Sequence, residues 1–485
     1  MPAERHRARA RALAAGGSDL SVIRRDYAWL AEVFSLEIVS FERKLFANLS
    51  HQPNKAMNLN AYIGLIGGHY RRARGPEGAI ELTACRAEDA DLSVPEADYV
   101  LTLDADSLIL NGYILRLVEA LQRDSRLAVA QTPYSSFPGA ATVLERTAGA
   151  TTDVQFFVHQ GFSAYNAPYW VGANALLRLE AVRDIATSTE ERGYLVPVFI
   201  QDRTVIEDTG STIDLVRRGW RLLNYPERLA YSTTPPDFGS LLIQRRRWAN
   251  GGLIILPDLL KLAVPGRAGQ IGPVECLIRA HYLLSPLLGS IGLLALMFAP
   301  LDPALASVWL SVAAVPYYLL YARDLQRAGY SWRDLGRVYA LNLLLVPVNL
   351  AGVVRSIQQI LTGRKAPFGR TPKVDDRTGM GAGHVLAQAA LLTLMCGSCI
   401  SSYLLGRHAY ALFAGVNAAF CVYGITTMIG WAEALEDLLT PVQLWVDGLP
   451  LGRPKAVPAP PHIVSLPGCA TQVSKAAKLV DQEAA

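Results

Sequence analysis

Charged residues and cysteines are both scarce in this chain of 485 residues. Only 18% of the residues are charged and 51% are hydrophobic, a balance that favours a membrane protein over an ordinary soluble enzyme. The net charge of +4 is too small for a nucleic-acid-binding surface, so no nucleic acid partner is expected. The 6 cysteines are scattered along the chain, which argues against a disulfide framework.

One CxxC pair, Cys396 and Cys399, lies within the apolar run LLTLMCGSCISSYLL. Small residues that pack between membrane helices explain this pair better than a redox or metal role does. The N-terminal segment also lacks the apolar stretch that a secretory signal peptide requires. Residues 1–17 are therefore expected to form a disordered leader.

Residues 18–250 alternate short apolar runs with amphipathic stretches, the pattern of an α/β domain. KAMNLNAYIGLIGG (55–68) predicts a helix that its glycines end, and RLLNYPERLAYST (221–233) predicts a pair of strands. We expect interfacial helices at residues 251–280 and a cytoplasmic tail at residues 431–485.

Long apolar segments dominate the chain after residue 280. Those long enough to cross the hydrocarbon core of a bilayer are 281–299, 303–321, 383–405 and 408–430. A fifth segment, 338–354, is shorter, and the basic loops on both sides of it must be cytoplasmic under the positive-inside rule. We therefore predict four transmembrane helices, with residues 338–361 lying in the membrane interface.

Two pairs of acidic residues follow strand-like segments. Asp104 and Asp106 end the segment DYVLTLDAD, at the strand edge where open α/β sheets bind ligands. Two carboxylates so close together can share a divalent cation, Mg²⁺ or Mn²⁺, whose other ligands are phosphate oxygens. A turn with solvated acids is the alternative. Glu207 and Asp208 precede a predicted helix, where an acid can cap the helix or act as a general base.

Two basic motifs could complete such a site. QRRRW, from Gln244 to Trp248, offers guanidinium groups for a leaving diphosphate and an indole face for a sugar ring. The alternative for its arginines is a juxtamembrane anchor on anionic lipid. FGRTPK, from Phe368 to Lys373, places an aromatic ring, a hydroxyl and a cation close together in a basic loop. The alternative is a loop that only keeps its side of the membrane cytoplasmic, and such a loop would need the positive charges alone.

The order of these motifs is more specific than any one of them. KAMNLN, DAD, IED and QRRRW, followed by membrane helices and FGRTPK, resemble a membrane-embedded processive family-2 glycosyltransferase of the cellulose synthase type. The resemblance covers residues 30–430. It implies an A-type, Rossmann-like α/β glycosyltransferase domain with a mixed sheet at 18–250. An α-helical transmembrane region at 281–430, with a gating-type loop at 362–380, is implied to follow.

The resemblance also implies a role for each motif. Asp208, with Glu207 beside it, is implied to be catalytic as the general base, and Asp104 and Asp106 are implied to hold the metal ion. The residues implied to bind the donor are Lys55, Asn58, Asp104, Asp106, Arg247, Phe368, Thr371 and Lys373. The residues implied to bind the acceptor are Tyr169, Gly172, Gln244 and Trp248.

The implied reaction is inverting transfer of a sugar from a nucleotide sugar, UDP-glucose by preference, to the non-reducing end of a growing β-glycan. The implied partners are the nucleotide-sugar donor, the glycan acceptor, membrane lipid and accessory subunits of a polysaccharide export complex. The implied location is the inner cell membrane, with several spans and a cytoplasmic catalytic domain. Two alternatives stay open: a non-processive transferase acting on a lipid or short acceptor, and a truncated, inactive membrane subunit.

The sequence departs from the family pattern in two places. Ile206 stands where the family has the threonine of its TED motif, a mild change because the acids remain. The strand ending in Asp-Asp-Gly that holds the nucleotide base is not found, and GGSD at 16–19 stands near its expected place. This difference predicts that the catalytic domain is N-terminally incomplete and that the chain is the C-terminal part of a longer protein.

Overall fold

The computed structural model describes residues 40–446, except 76–77, 133–134, 267–268, 299–307, 368 and 370–375, together with five isolated positions before residue 40. The expected leader (1–17) lies almost entirely outside the described residues, and the C-terminal tail beyond residue 446 lies outside them as well.

The described elements alternate between strands and helices up to residue 232 and are helical from there onwards. The strands are β1 (His69–Arg74), β2 (Ile80–Ala84), β3 (Leu92–Ser93), β4 (Tyr99–Leu103), β5 (Leu108–Ile109), β6 (Leu127–Gln131), β7 (Ser135–Ser136), β8 (Asn174–Arg178), β9 (Thr187–Glu191), β10 (Tyr194–Val198), β11 (Arg221–Asn224) and β12 (Ala230–Ser232). The helices are α1 (Lys55–Ile63), α2 (Tyr113–Arg123), α3 (Val143–Ser163), α4 (Leu179–Asp184), α5 (Glu207–Arg217), α6 (Phe238–Ala249), α7 (Gly252–Leu262), α8 (Pro273–Phe298), α9 (Val308–Arg327), α10 (Asp334–Thr362), α11 (Ala382–Leu404), α12 (His408–Gly424) and α13 (Trp431–Val446).

The described residues form two compact units. The first unit contains residues up to 96 together with 187–198, and the second contains 97–186 and 199–446. The sequence pattern did not indicate this division, because nothing in it marks the hairpin β9–β10 as separate from its neighbours in the chain.

The first unit combines a sheet of order β2-β1-β3, the hairpin β9–β10 and helix α1. The predicted helix at 55–68 is present but shorter. It begins after Asn54, whose side chain accepts a hydrogen bond from the Met57 amide (2.8 Å), and it ends at Gly64. Met57 packs with Val196 and Val198 in a buried cluster, which fixes the helix to the hairpin.

The second unit contains a four-stranded sheet of order β11-β6-β8-β4. Strands β11 and β6 are parallel, whereas β8 is antiparallel to both β6 and β4, so the predicted mixed sheet is confirmed. Because β8 runs against β4, the start of β8 lies at the carboxyl end of β4. Residues that precede β8 in the chain are therefore brought to the edge where the acids of DAD lie.

Residues 221–233 do form two strands, but these strands do not pair with each other. Strand β11 lies at an edge of the four-stranded sheet, and β12 lies between β5 and β7 in a separate three-stranded sheet. A strand's partners are set by long-range packing, which local alternation of apolar residues does not encode.

Helix α2 covers one face of the larger sheet. Its residues Tyr113, Leu117 and Leu121 are almost fully buried against Leu127 and Leu176. Truncating one such leucine to alanine typically costs about 2–5 kcal/mol, so this contact contributes a large share of the domain's stability.

Four described helical stretches are long and apolar enough to cross a membrane: Pro273–Ala295, Asp334–Thr362, Ala382–Leu404 and His408–Ile429. Three of them match predicted segments. The fourth is α10, which was predicted to be interfacial, while the predicted segment 303–321 lies partly outside the described residues. The most apolar window of α10 is 56% buried within the protein, against 17%, 22% and 33% in the other three.

The CxxC pair lies in α11, which packs against α12. A Cβ atom built on Gly415 of α12 would be 3.3 Å from Sγ of Cys399. Small side chains therefore let these two helices approach closely, as the sequence predicted.

Candidate active site

The DAD segment lies at the carboxyl end of β4 in the second unit. The Asp104 amide donates to the Ala173 carbonyl (2.8 Å), which fixes this acid beside the segment that leads into β8. Oδ2 of Asp106 accepts hydrogen bonds from the hydroxyls of Ser232 (3.1 Å), the last residue of β12, and of Thr233, the next residue. Both acids are half-buried, so backbone and hydroxyl contacts fix their positions while part of each stays accessible.

Gly172 brings the DAD and IED motifs together. Its φ of +71° is left-handed, and a Cβ built on it would be 2.3 Å from Oδ2 of Asp208. Only glycine lets this carboxylate lie directly against the backbone. Because Gly172 precedes Ala173, which pairs with Asp104, the two acidic motifs meet at the start of β8.

Asp208 and Glu207 occupy the first turn of α5, but they differ in exposure. Glu207 is buried, whereas Asp208 is half-buried. Oδ1 of Asp208 accepts a hydrogen bond from the Thr209 amide (2.7 Å), near the positive end of the helix dipole. Neither acid is the N-cap residue, because that position is Ile206. Of the two acids, Asp208 is the one that can reach an external hydroxyl.

The QRRRW motif forms the last two turns of α6. The guanidinium carbon of Arg245 lies 4.4 Å from the centroid of the Trp248 ring, and its Nη2 donates to Oγ1 of Thr151 in α3 (2.7 Å). Arg245 therefore holds the indole against the α/β domain by a cation–π contact.

The other residues of this motif are half-buried too, Gln244 and Arg247 included. The pKa of Arg246 is lowered, mainly because burial disfavours its charge and further because the charge of Arg355 is near. An arginine placed to hold anionic lipid headgroups would be exposed. The described positions of Arg245, Arg246 and Arg247 therefore do not favour the alternative of a juxtamembrane anchor.

The turn after Trp248 leads from α6 into α7 and packs against Ile206, the residue before α5. Gly251 has a φ of +127°, and a Cβ built on it would be 2.5 Å from Cγ1 of Ile206. The Ser356 hydroxyl of α10 accepts from the Gly251 amide (3.0 Å) and donates to Oδ1 of Asn250 (3.0 Å). Sequence reasoning missed Asn250, Gly251 and Ser356, although the glycine pair after QRRRW signals a tight turn.

The structure gives a different position to Tyr169, which was expected to contact the acceptor. Its ring is fully buried, stacked on Tyr282 with centroids 4.8 Å apart, and its hydroxyl donates to the Arg279 carbonyl (3.3 Å). A ring that is packed on every side supports the backbone before Gly172 rather than a ligand. Gln131, another residue missed from the sequence, also holds this segment by accepting from the Val171 amide (3.0 Å).

Lys55 and Asn58 belong to the first unit. Lys55 is half-buried at the start of α1, and Asn58 is exposed and accepts a hydrogen bond from Nε of the buried Arg43 (3.1 Å). Their expected contact with the donor stays a prediction.

The loop that contains FGRTPK has described residues on both flanks, while Phe368, Thr371 and Lys373 lie outside the described residues. On one flank Lys365 pairs with Asp202. On the other flank Arg377 pairs with Asp437 of α13 (2.7 Å). Both ends of the loop are therefore fixed within the second unit, the first of them near the IED motif.

The described residues contain no cluster of three or more His, Cys, Asp or Glu side chains that could enclose a metal ion. A cation at this site would thus rest on Asp104 and Asp106 and take further ligands from a substrate or from water. Such a ligand set suits a hard cation bound together with phosphate oxygens.

Comparison with known proteins places the site within a matched family. Residues 99–323 match the family described as glycosyl transferase family group 2. This range includes Asp104, Gly172, Asp208 and Trp248, but it excludes both Lys55 and the FGRTPK loop.

Individual relatives share low identity with the chain. It is 25% identical to cellulose synthase 2 of Novacetimonas hansenii over 292 residues, 58% of this chain and 17% of that protein. It is 26% identical to glucans biosynthesis glucosyltransferase H of Bradyrhizobium diazoefficiens over 348 residues, 63% of this chain and 44% of that protein.

The chain is also 26% identical to the probable glucomannan 4-beta-mannosyltransferase 11 of Oryza sativa subsp. japonica, over 33% of this chain and 26% of that protein. The matched stretch is thus less than half the length of each of these three relatives. Residues 99–323 thus match a glycosyltransferase domain of family group 2, and the chain is similar at low identity to cellulose, glucan and glucomannan synthases.

Proposed function

We propose that this chain is a membrane-bound inverting glycosyltransferase that moves glucose from UDP-glucose to a growing β-glycan. The observation that carries the proposal is the meeting of three motifs within the second unit. Asp104 bonds to the residue next to Gly172, Gly172 lies against Asp208, and the turn after Trp248 lies against Ile206.

Asp208 is the proposed general base. It accepts the proton of the acceptor hydroxyl while that oxygen forms a bond to C1 of the donor sugar, and the bond from C1 to the UDP oxygen breaks. Attack from the face opposite UDP converts an α-linked donor into a β-linked product. The carboxylate accepts a hydrogen bond from the Thr209 amide in the first turn of α5, a setting that stabilises negative charge.

Arg247 is proposed to stabilise the charge on the leaving diphosphate, since a guanidinium can bind two phosphate oxygens at once. Trp248 is proposed to stack on the terminal sugar of the acceptor. Because Arg245 covers one face of the indole, the sugar would use the opposite face. Gln244 is proposed to orient the same sugar by hydrogen bonds.

Asp104 and Asp106 are proposed to hold Mg²⁺ or Mn²⁺. Their half-buried carboxylates fit a cation that is shared with a diphosphate, since Ser232 and Thr233 fix Asp106 and the backbone fixes Asp104. A bound cation would offset the negative charge that develops on the leaving group.

The proposed donor and product are tested by incubating membranes that contain the protein with a panel of labelled nucleotide sugars. Labelled polymer from UDP-glucose that a β-glucanase removes would support the proposal. Label that enters only a single-sugar lipid product would instead support the non-processive alternative. Incorporation from a mannose donor alone would replace glucose in the proposal.

A further inference from the structure

A cavity of about 360 Å³ lies in the second unit, and none of the residues assigned to transfer lines it. Its lining includes three aromatic residues, Phe137, Tyr231 and Tyr330, and three charged residues, Arg146, Asp153 and Arg228. A volume at the low end of the range for ligand pockets, about 300–1,000 Å³, suits a small molecule rather than a peptide.

Strand β12 separates this cavity from the DAD carboxylates. Tyr231 of β12 lines the cavity, while the next residue, Ser232, donates to Asp106. Successive side chains of a strand point to opposite faces, so the cavity lies behind the strand that holds Asp106. The cavity is therefore next to the candidate active site and distinct from it.

The cations that line the cavity are already paired. Arg146 donates through Nη2 to Oδ2 of Asp334 (2.8 Å) and through Nε to Oδ1 (3.3 Å). Arg228 donates to the Asp153 carbonyl (2.8 Å), and its Nη1 lies 3.6 Å from Oδ2 of Asp153. A phosphate or other anion would have to displace these carboxylates, so the charge arrangement disfavours an anionic ligand.

The buried acid at this cavity is Asp153. It accepts hydrogen bonds from the Tyr330 hydroxyl (2.9 Å) and the Ser136 amide (3.3 Å), and it is only 4% exposed. Desolvation raises the pKa of its carboxyl, an effect that the Arg228 charge opposes. Asp153, Arg228 and the hydroxyl groups around them thus provide both acceptors and donors for a neutral polar ligand.

The aromatic residues add a flat apolar surface. The rings of Phe137 and Tyr231 are stacked with centroids 5.8 Å apart, and Phe137 is 38% exposed. A ligand that combines a flat apolar face with many hydroxyl groups is a pyranose sugar. Aromatic stacking and charged hydrogen-bond partners meet both of these needs.

We propose that this cavity binds a neutral sugar residue or short glycan at a site separate from the site of transfer. Strand β12 links the two sites directly, because it carries Tyr231 on one side and the Ser232 that holds Asp106 on the other.

The test measures binding of D-glucose and cellobiose to the full chain in detergent, without any nucleotide sugar, by saturation-transfer NMR and titration. Because no donor is present, the result does not depend on whether the chain catalyses transfer. We expect Phe137→Ala to weaken binding by about 3- to 10-fold, from the usual contribution of one stacked aromatic ring. Tyr165→Ala, which removes an exposed aromatic residue outside the cavity, is the matched control and should bind as the unchanged chain does.

A second variant separates the two sites. Trp248→Ala removes the proposed acceptor platform, and sugar binding at the cavity should persist in it. Binding that is lost in Trp248→Ala but kept in Phe137→Ala would assign the sugar to the transfer site and overturn the proposal. Displacement of the sugar by inorganic phosphate would also overturn it, since the cavity would then be an anion site. No measurable binding of either sugar would have the same consequence.

Discussion

At the scale of single residues, the candidate site depends on two kinds of position. The first kind supplies negative charge and comprises Asp104, Asp106 and Asp208. The second kind leaves room for a side chain to approach the backbone closely and comprises Gly172 and Gly251. The acids are recognisable in the sequence because each pair follows a strand-like segment. The glycines gain their meaning only from the fold, since a Cβ on either would collide with another motif.

Replacing Asp208 with asparagine should lower the rate of transfer by about 10²–10⁴-fold, because the acceptor hydroxyl would lose its general base. Donor binding should change little, since the amide keeps the size of the side chain and one oxygen that can accept from the Thr209 amide. Release of UDP and binding of UDP-glucose would be measured on the same preparation. Near-normal turnover would remove Asp208 from the proposed mechanism.

Gly172→Ala should impair transfer through the position of Asp208. The new Cβ would lie 2.3 Å from Oδ2 of Asp208, so the carboxylate must move. Gly219→Ala is the matched control, because its φ of +86° carries a similar backbone cost, about 1–2 kcal/mol, with nothing within 4 Å of the new Cβ. Equal loss of kcat in the two variants, at equal folded fraction, would contradict the placement of Asp208.

Asp106→Ala should reproduce the effect of chelating divalent cations. Both treatments remove the proposed link between the DAD carboxylates and the diphosphate. Transfer would be measured with excess EDTA and after restoring Mg²⁺ or Mn²⁺. Full activity in EDTA would show that the reaction needs no such cation.

His159 should make the stability of the second unit depend on pH. Burial among aromatic rings lowers its pKa from 6.5 to about 4. The unfolded chain therefore binds more protons between these values, so stability is fully present above pH 6.5 and declines as the pH falls towards 4. The melting temperature of His159→Phe should fall less over this range than that of the unchanged chain, and equal slopes would contradict the argument.

At the scale of elements, α10 is the helix whose position matters most. Asp334 at its start bonds to Arg146 of α3 (2.8 Å), and Gln359 near its end donates to the Arg203 carbonyl (2.9 Å). Both partners belong to the α/β part of the second unit. A helix of 29 residues is about 43 Å long, more than the ~30 Å hydrocarbon core. Because one α/β domain holds both of its ends, we expect α10 to lie along the membrane surface and not across it.

We therefore expect Lys365, just after α10, to lie on the same side of the membrane as the α/β domain. Its ion pair with Asp202 supports this expectation. A cysteine at position 365, in a chain without its native cysteines, should react with an impermeant maleimide only in inside-out vesicles. Leu405→Cys, in the turn between α11 and α12, is the control and should react from the opposite side. Labelling at position 365 from the same side as position 405 would make α10 a spanning helix.

At the scale of the whole molecule, local pattern and order of motifs predicted much of the second unit. The mixed sheet, a helix at the IED motif and three of the four candidate spans agree with the sequence, although Glu207 and Asp208 lie in the first turn of α5 and not before it. These elements are encoded locally, because the period of apolar residues indicates their type and Gly219 marks the end of α5.

What could not be predicted depends on contacts between distant residues. The partners of β11 and β12, the burial of Tyr169 and the grouping of β9–β10 with the first unit follow from packing across the sequence. The cation–π contact of Arg245 with Trp248 could not be predicted from the sequence either. QRRRW does bring the two residues within one helical turn, but Thr151 on α3 helps to decide where the guanidinium lies.

The configuration of the product is the sharpest test of inverting transfer with Asp208 as the base. Membranes that contain the unchanged chain or Asp208→Asn would be supplied with UDP-glucose, and the anomeric proton signal of the isolated glycan would be recorded by NMR. We expect β-linked glucose from the unchanged chain and almost none from Asp208→Asn. An α-linked product, or equal amounts of product from both chains, would contradict it.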